Sequence, residues 1–164
     1  MGITIIIDTR EKLPYTFSNP RYAGTTVIRD TLHTGDLSLP GFTDRCALER
    51  KSIDDLIGCL KTGKNGSRER FERELARLRC YECKAVIVEA SFADIARGDY
   101  RSEMLPAAVL GSIFALWNRY STPFVFAGSR SAGEYVCWQM LMKFANEIER
   151  RHETFLRAQK ESAR

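Results

Sequence analysis

The sequence predicts an α/β domain in which a mixed central sheet is flanked by helices. Short runs rich in β-branched residues, such as ITIIID at the N-terminus and KAVIVEA further on, indicate buried strands. Other segments repeat apolar residues at helical spacing on an otherwise charged surface, which indicates helices packed on one side. In chain order these segments give β-β-β-β-α-α-β-α-α-β-α, an order that predicts a sheet covered by helices.

Four strands are predicted in the first third of the chain. The first ends at Asp8, and a polar loop broken by Pro14 and Pro20 separates it from the second. Pro40-Gly41 is a turn-forming pair that joins the third and fourth strands as a hairpin. The predicted spans are residues 3–8, 24–32, Asp36–Leu39 and Arg45–Leu48.

Helices dominate the remainder of the chain. The first begins at Lys51 or Ser52 and ends near Leu60, with Ser52 as its N-cap. Ser67 is predicted to cap a second helix, whose residues 71, 75 and 78 form one apolar stripe. The remaining predicted elements are a helix over 91–97, a helix over 103–120 that tolerates Pro106 in its first turn, a strand over 122–128 and a helix from Ser131 past Ile148.

Composition favours a single intracellular domain. The chain has 164 residues, of which 44% are hydrophobic and 28% charged, and its formal net charge is +4. This charge is compatible with a polyanionic partner but does not require one. The N-terminus does not resemble a signal peptide, and the most apolar run is too short to cross a membrane. We therefore expect one globular domain over residues 1–150 and a polar helical tail over 151–164.

The cysteines do not predict a disulfide framework or a zinc site. Their number is odd, and they are scattered along the chain, which suits a reducing compartment. Cys80 and Cys83 form one C-x2-C pair, but no second Cys or His pair at zinc-finger spacing accompanies them. Ordinary reduced thiols are the expected state.

The segment RCALERKSIDDL places three charged residues where a buried strand would normally end. Glu49 and Lys51 stand two positions apart, so a strand directs them to one face and Arg50 to the other. If the hairpin forms, the carboxylates of Asp36 and Glu49 can meet at its open end. Mg²⁺ prefers one or two carboxylates and leaves its other positions to water and phosphate oxygens.

These residues indicate phosphodiester hydrolysis. Lys51 would orient the attacking water or help to deprotonate it, and would offset charge in the transition state. The short pattern is also compatible with charged side chains that simply face solvent beyond the end of a strand.

Three ordered motifs together are more specific than the cluster alone. Gly35-Asp36 is followed by Glu49-Arg50-Lys51 and then, after three residues, by Asp55; Ile7–Glu11 reads I-D-T-R-E. In these motifs, and in the later segments SRERFERELARL, KAVIVEA and YSTPFVFAGS, the chain resembles the nuclease domain of the XPF-type structure-specific endonucleases. The resemblance covers nearly the whole chain.

The resemblance implies a restriction-endonuclease-like core that uses Mg²⁺ or Mn²⁺ and cuts DNA near a junction of double and single strands. It implies that Asp36 and Glu49 bind the metal and that Asp8 helps to hold or tune it. Lys51 is then the lysine that positions water or stabilises the transition state.

The other signature residues are left with two interpretations each. Arg50 would contact a phosphate or brace a carboxylate. Asp55 would orient Arg50 or Lys51, or would only complement the helix dipole. Arg10 and Glu11 would belong to the catalytic site or form a local ion pair.

The chain departs from the family pattern because it lacks a tandem helix-hairpin-helix domain. DNA contacts are therefore expected from the core, with Lys61, Lys64, Arg68 and Arg50 as candidates. For residues on the second helix, pairing between Arg and Glu three or four positions apart is the alternative. The sequence does not decide between an excised domain and a compact enzyme.

Family nuclease domains pair through their last third, so a homodimer is expected here. The candidate contacts are Phe114, Trp117, Tyr135 and Trp138, although these aromatic residues would also suit the core.

Three functions remain open. The favoured one is a metal-dependent endonuclease acting on branched DNA. The others are a non-catalytic scaffold or DNA-binding subunit, and a nuclease with the same core that acts on another nucleic acid. Retention of every charged signature position argues against the scaffold.

Overall fold

A six-stranded mixed sheet forms the centre of the molecule, as the sequence predicted. The computed structural model describes residues 2–63 and 67–162. The strands are β1 (Thr4–Asp8), β2 (Thr26–Asp30), β3 (Leu37–Ser38), β4 (Cys46–Lys51), β5 (Cys83–Val88) and β6 (Phe124–Phe126), in the spatial order β2-β1-β3-β4-β5-β6. Only β3 runs antiparallel to its neighbours among these paired strands.

Within the described residues, five α-helices cover the two faces of the sheet. They are α1 (Ile53–Leu60), α2 (Ser67–Leu78), α3 (Phe92–Arg97), α4 (Pro106–Tyr120) and α5 (Arg130–Ser162). Ser52 caps α1 as predicted, its hydroxyl accepting from the backbone N–H of Asp55. Ser67 was predicted as a cap but is the first residue of α2.

Two element boundaries differ from the predictions for identifiable reasons. β4 continues through Lys51 because its backbone pairs in parallel with β5 up to Val88, whatever the charge of the side chains. α4 begins at Pro106 and not at residue 103, because the proline occupies the first turn and Leu105 before it is extended.

The alternation of side chains along the strands creates two hydrophobic cores. Val86 of β5 packs in the first, which lies under α1 to α4, and its neighbour Ile87 packs in the second. The second core contains α5 residues such as Cys137 and an aromatic loop that includes Tyr15 and Tyr22. Both faces of the sheet are thus covered.

The long helix α5 packs against the body only along its first half. Its buried residues are Gly133, Cys137 and Leu141. From residue 149 onward the described residues are exposed, including Phe155 and Leu156. Within the described ranges, no helix is both long and apolar enough to cross a membrane.

The sheet topology gathers the charged motifs at one edge. β1, β4 and β5 run in the same direction, and β3 runs against them. The edge therefore carries Asp8 at the end of β1, Lys51 at the end of β4, Glu89 just after β5 and Asp36 just before β3.

Candidate active site

A charged cavity of about 870 Å³ opens at this edge of the sheet. Its wall combines the end of β1, the loop before β3, the end of β4 and parts of α1 and α2. Most of the side chains that line it are charged. The signature residues of the sequence thus share one cavity.

Asp36 is fixed at the cavity by the backbone of β4. Its N–H donates to the carbonyl oxygen of Leu48 at 2.8 Å, and its Oδ2 accepts from the N–H of Arg50, also at 2.8 Å. Burial raises the pKa of Asp36 to about 6, although the hydrogen bond from Arg50 and the charge of Lys51 act in the opposite direction. Asp36 is therefore bonded to the residue that follows Glu49, and the predicted meeting of the two carboxylates stays a prediction.

Glu49 is a buried carboxylate with one unsatisfied oxygen. The residue is 2% exposed, and its Oε1 lies 2.5 Å from Nζ of Lys51. Its Oε2 is buried and has no hydrogen-bond partner among the described residues. Burial, followed by the negative charge of Asp36, raises the pKa of Glu49 well above its usual range.

The pair Asp36 and Glu49 fits a divalent cation. Mg²⁺ is commonly bound through one or two carboxylates, with water and phosphate completing its coordination. The buried, unsatisfied oxygen of Glu49 is the kind of atom that such a cation would satisfy. Within residues 2–63 and 67–162, no group of three or more His, Cys, Asp or Glu has the geometry of a metal site, so the fit rests on these two carboxylates.

Lys51 lies between two carboxylates on the same side of β4 as Glu49. Its Nζ is 4.0 Å from Oε2 of Glu74 and 5.5 Å from the ring centroid of Phe71. Burial works against the charge of Lys51, but Glu49 and Glu74 raise its pKa. The ammonium group is therefore held charged at the cavity.

Arg50 points to the other side of β4 and braces two carboxylates there. Its guanidinium lies 3.0 Å from Oε1 of Glu11 and 3.1 Å from Oε2 of Glu89. It also lies over the ring of Tyr15, whose hydroxyl donates to Glu89 at 2.8 Å. Arg50 was predicted either to contact a phosphate or to brace a carboxylate, and these contacts match the second role.

Asp8 has its hydrogen-bonding capacity filled by protein groups. Its Oδ1 accepts from the backbone N–H and Nε of Arg10, and its Oδ2 from Nη2 of Arg10 and the N–H of Leu32. Burial alone would raise the pKa of Asp8, but these bonds lower it. Asp8 therefore ties β1 to the loop before β3, and its part in holding or tuning the metal stays a prediction.

Arg10 and Glu11 do not pair with each other, which was one of the two interpretations left open for them. Arg10 pairs with Asp8 at 2.8 Å, and Glu11 pairs with Arg50. Both residues line the cavity, and their part in catalysis stays a prediction.

Asp55 lines the cavity but does not contact the signature cations. It is exposed, and its Oδ2 accepts from the hydroxyl of Ser52 at 2.7 Å. The orienting role of Asp55 toward Arg50 or Lys51 therefore stays a prediction, and its place in the first turn of α1 agrees with the alternative of complementing the helix dipole. As the third residue of α1, Asp55 turns back toward the N-cap, as residues at this position commonly do.

Three charged residues of α2 reach the cavity and were not singled out from the sequence. Arg70, Glu74 and Arg77 all line its wall. Their spacing of four and three residues forms a charged stripe beside the apolar stripe of the same helix. That spacing is the signal in the sequence that could have identified them.

The predicted DNA contacts are only partly placed at the cavity. Lys61 is exposed at the end of α1, and Lys64 lies outside the described residues. Arg68 donates to Glu72 at 2.6 Å and to the carbonyl oxygen of Leu60 at 3.2 Å. The i,i+4 pairing considered as the alternative thus describes Arg68, which does not line the cavity wall.

The predicted dimer contacts divide between the two faces of the sheet. Phe114 and Trp117 are exposed on α4, whereas Tyr135 is exposed on α5. Trp138 is half-buried, packs against the second core and donates to the hydroxyl of Thr25 at 2.9 Å. For Trp138 the core alternative is therefore the correct one.

Replacement of Gly35 by Ala is expected to disturb the site through the backbone. Gly35 has a φ of +77°, and a β carbon there would lie 3.0 Å from the carbonyl oxygen of Leu48. Gly41 has the same φ of +77° but no atom within 4 Å of such a carbon. We expect Gly35→Ala to lower the free energy of unfolding by about 2–4 kcal/mol and Gly41→Ala by about 1 kcal/mol.

Urea denaturation of the two alanine variants provides the comparison. Equal losses would mean that left-handed backbone geometry alone, and not close packing of Gly35 on β4, requires the glycine.

Comparison with known proteins supports the same assignment. The family model for the ERCC4 domain matches residues 7–137. The solved structure of XPF from Aeropyrum pernix is similar, with 21% sequence identity and a TM-score of 0.66 over 92% of this chain and 69% of that chain. XPF from Aeropyrum pernix in complex with DNA gives 20% identity and a TM-score of 0.63, covering 88% of this chain and 66% of that chain. No curated protein matches the sequence.

At such identities the two structures establish the shared fold, and the family model covers most of the chain. The predicted resemblance is confirmed: the chain belongs to the ERCC4 domain family.

Proposed function

We propose that this protein is a divalent-metal-dependent endonuclease that hydrolyses phosphodiester bonds in branched DNA. The observation that carries the proposal is the buried, unsatisfied Oε2 of Glu49, which lies in one cavity with Asp36 and Lys51. If Glu49 had only a structural role, we would expect this oxygen to have a hydrogen-bond donor, because an unpaired buried acceptor destabilises the fold.

Asp36 and Glu49 would hold Mg²⁺ or Mn²⁺. When bound, the cation would polarise a phosphate oxygen and stabilise negative charge as the reaction proceeds. Membership of a nuclease family and two adjacent carboxylates support this choice of cofactor.

Lys51 would act directly on the reacting phosphate. Its charged ammonium group can donate to the attacking water and to the oxygens that gain charge in the transition state. Arg70 and Arg77 of α2 are exposed on the same wall and would contact neighbouring phosphates. Arg50 and Asp8 would position the strands that carry the reacting groups.

Branched DNA and a homodimer are the finer parts of the proposal. Both are inferred from the family resemblance, and exposed Phe114 and Trp117 offer an apolar contact surface on α4. Residues 1–150 would form the nuclease domain, acting inside the cell on flaps, forks or similar junctions. A scaffold function is less well supported, because all the charged positions of the signature are present.

Substitution of Lys51 by Ala is expected to slow cleavage by about 10²–10⁴-fold, because it removes the ammonium group from the reacting phosphate. The assay uses labelled flap, fork, linear duplex and single-stranded DNA with Mg²⁺, Mn²⁺ or EDTA. Lys143→Ala is the matched control, since Lys143 is exposed on α5 and should retain full activity.

The substrate panel separates the competing functions. Binding of DNA without cleavage in any metal would favour the scaffold. Cleavage confined to unbranched DNA or RNA would retain the catalytic site and reject the branched substrate.

A further inference from the structure

Leu13 is an exposed apolar side chain at the wall of a mostly charged cavity. It is 66% exposed, whereas Phe71, which also lines the cavity, is 1% exposed. Isolated exposed leucines are common on protein surfaces and need no function. Leu13 differs from such isolated leucines because hydrogen bonds fix its backbone at both its N–H and its carbonyl oxygen.

The hydrogen bond at the N–H of Leu13 connects this residue to β4 through Glu11. Its N–H donates to Oε1 of Glu11 at 2.8 Å, and Glu11 in turn pairs with Arg50 of β4. Arg50 is the immediate neighbour of Lys51. The segment that carries Leu13 is thus attached to the back of the strand that presents the reacting lysine.

The hydrogen bond at the carbonyl oxygen of Leu13 comes from Arg130 at the start of α5. Nη2 of Arg130 donates to the carbonyl oxygen of Leu13 at 2.7 Å and to that of Pro14 at 2.9 Å. Tyr15, the next residue, is buried, and its hydroxyl donates to Glu89. Four hydrogen bonds therefore fix the segment from Leu13 to Tyr15. The apolar side chain of Leu13 is left exposed to solvent at the wall of the cavity.

The surroundings of Leu13 identify the chemistry of its ligand. Arg10 and Lys12 are exposed cations on the same wall and suit phosphate groups. A ligand that presents phosphates and an apolar face together is a nucleic acid with an unstacked base. Leucine is among the side chains that proteins insert against base steps as apolar wedges.

We infer that Leu13 packs against the face of the base next to the scissile phosphate, where it replaces the stacking neighbour that this base loses at a branch. The inference rests on the proposed nuclease function and adds a residue that determines its substrate preference. A base within a continuous duplex keeps both stacking neighbours, so Leu13 would gain no contact there without unstacking it.

The test compares Leu13→Ala with Leu105→Ala in the full chain. Leu105 is 71% exposed at the start of α4 and does not line the cavity. Leu13→Ala should cut a fork about tenfold more slowly while cutting single-stranded DNA within about twofold of the wild type, because only the fork offers a defined unstacked base. Leu105→Ala should match the wild type on both substrates.

A second readout does not depend on cleavage. A fork carrying 2-aminopurine at the base beside the junction is saturated with protein in EDTA, and saturation is checked by fluorescence anisotropy. Wild type and Leu105→Ala should raise the 2-aminopurine emission, because Leu13 occupies the open face of the base and prevents it from restacking across the junction. Leu13→Ala should lose most of that rise.

The outcomes separate this inference from the proposed function. If the wild type cleaves DNA and Leu13→Ala keeps both the fork preference and the fluorescence rise, the inference is overturned and the nuclease function stands. If the wild type cleaves no substrate with any metal, the nuclease function fails and the inference fails with it.

Discussion

Replacement of Glu49 by Gln is expected to abolish cleavage without lowering the stability of the metal-free protein. The amide cannot supply the negative charge that a divalent cation needs, so the rate should fall by about 10³-fold or more. The folded protein, by contrast, already disfavours ionised Glu49, because that group is buried and lies near Asp36. A neutral residue of the same shape should therefore raise the free energy of unfolding by roughly 1 kcal/mol above pH 7.

The pH dependence of stability follows from the direction of the same pKa shifts. A carboxyl group whose pKa is raised on folding stabilises the protein at low pH, and this contribution is lost as pH rises through the folded-state pKa. For Asp36 the window runs from its ordinary 3.8 to about 6, and for Glu49 it extends higher. The melting temperature of the metal-free wild type should thus fall more steeply than that of Glu49→Gln as pH rises through about 6 and beyond.

Calorimetry with and without Mg²⁺ or Mn²⁺ provides the measurement. The cation should raise the melting temperature of the wild type and leave that of Glu49→Gln unchanged. Glu82→Gln is the matched control, since Glu82 is exposed and pairs with Arg45 and Arg151 at the surface. A large loss of stability in Glu49→Gln at neutral pH would contradict the proposed origin of the raised pKa.

Replacement of Arg50 by Ala is expected to destabilise the protein by about 3–5 kcal/mol, because it leaves the largely buried Glu11 without its cation and Glu89 with Arg130 alone. The side chains of Arg50, Glu11 and Glu89 are only 9%, 10% and 9% exposed. Loss of the guanidinium also removes the group that lies over Tyr15. Cleavage should decline as well, since Glu11 and β4 are held together through this residue.

The control for Arg50→Ala is Arg45→Ala, at the residue just before β4. Arg45 pairs with Glu82, but the two side chains are 40% and 42% exposed, so the loss should be below about 1 kcal/mol. Chemical denaturation of both variants gives the comparison. Similar losses would contradict the view that burial of the Arg50 network determines its strength.

The sequence contained enough information for the fold and for the centre of the site. β-branched runs and helical stripes predicted the order of strands and helices because both patterns are local. The shared face of Glu49 and Lys51 follows from strand alternation, and their meeting with Asp36 follows from the hairpin turn. Each of these inferences depends on residues close together in the chain.

The parts that were missed depend on how distant elements pack. Glu74 lies near Lys51 only because the fold brings α2 close to the end of β4, which no local pattern specifies. The hydrogen bond from Leu32 to Asp8 likewise joins residues 24 positions apart. The two interpretations of Asp55 could not be separated from the sequence, because its contact with Ser52 is local whereas a contact across the cavity depends on packing.

Arg50 and Lys51 point to opposite sides of β4. Because of this alternation, the chain should tolerate insertions and deletions less well before β4 than at the end of α5. Displacing β4 by one residue would exchange the two cations, so that the guanidinium would enter the cavity and the ammonium would meet Glu11 and Glu89. The connection that sets this register is short, with the N–H of Phe42 bonded to the carbonyl oxygen of Leu39 at 3.0 Å. A single added residue there would disturb the cavity, whereas the exposed end of α5 can gain or lose whole turns without moving an atom of the cavity wall.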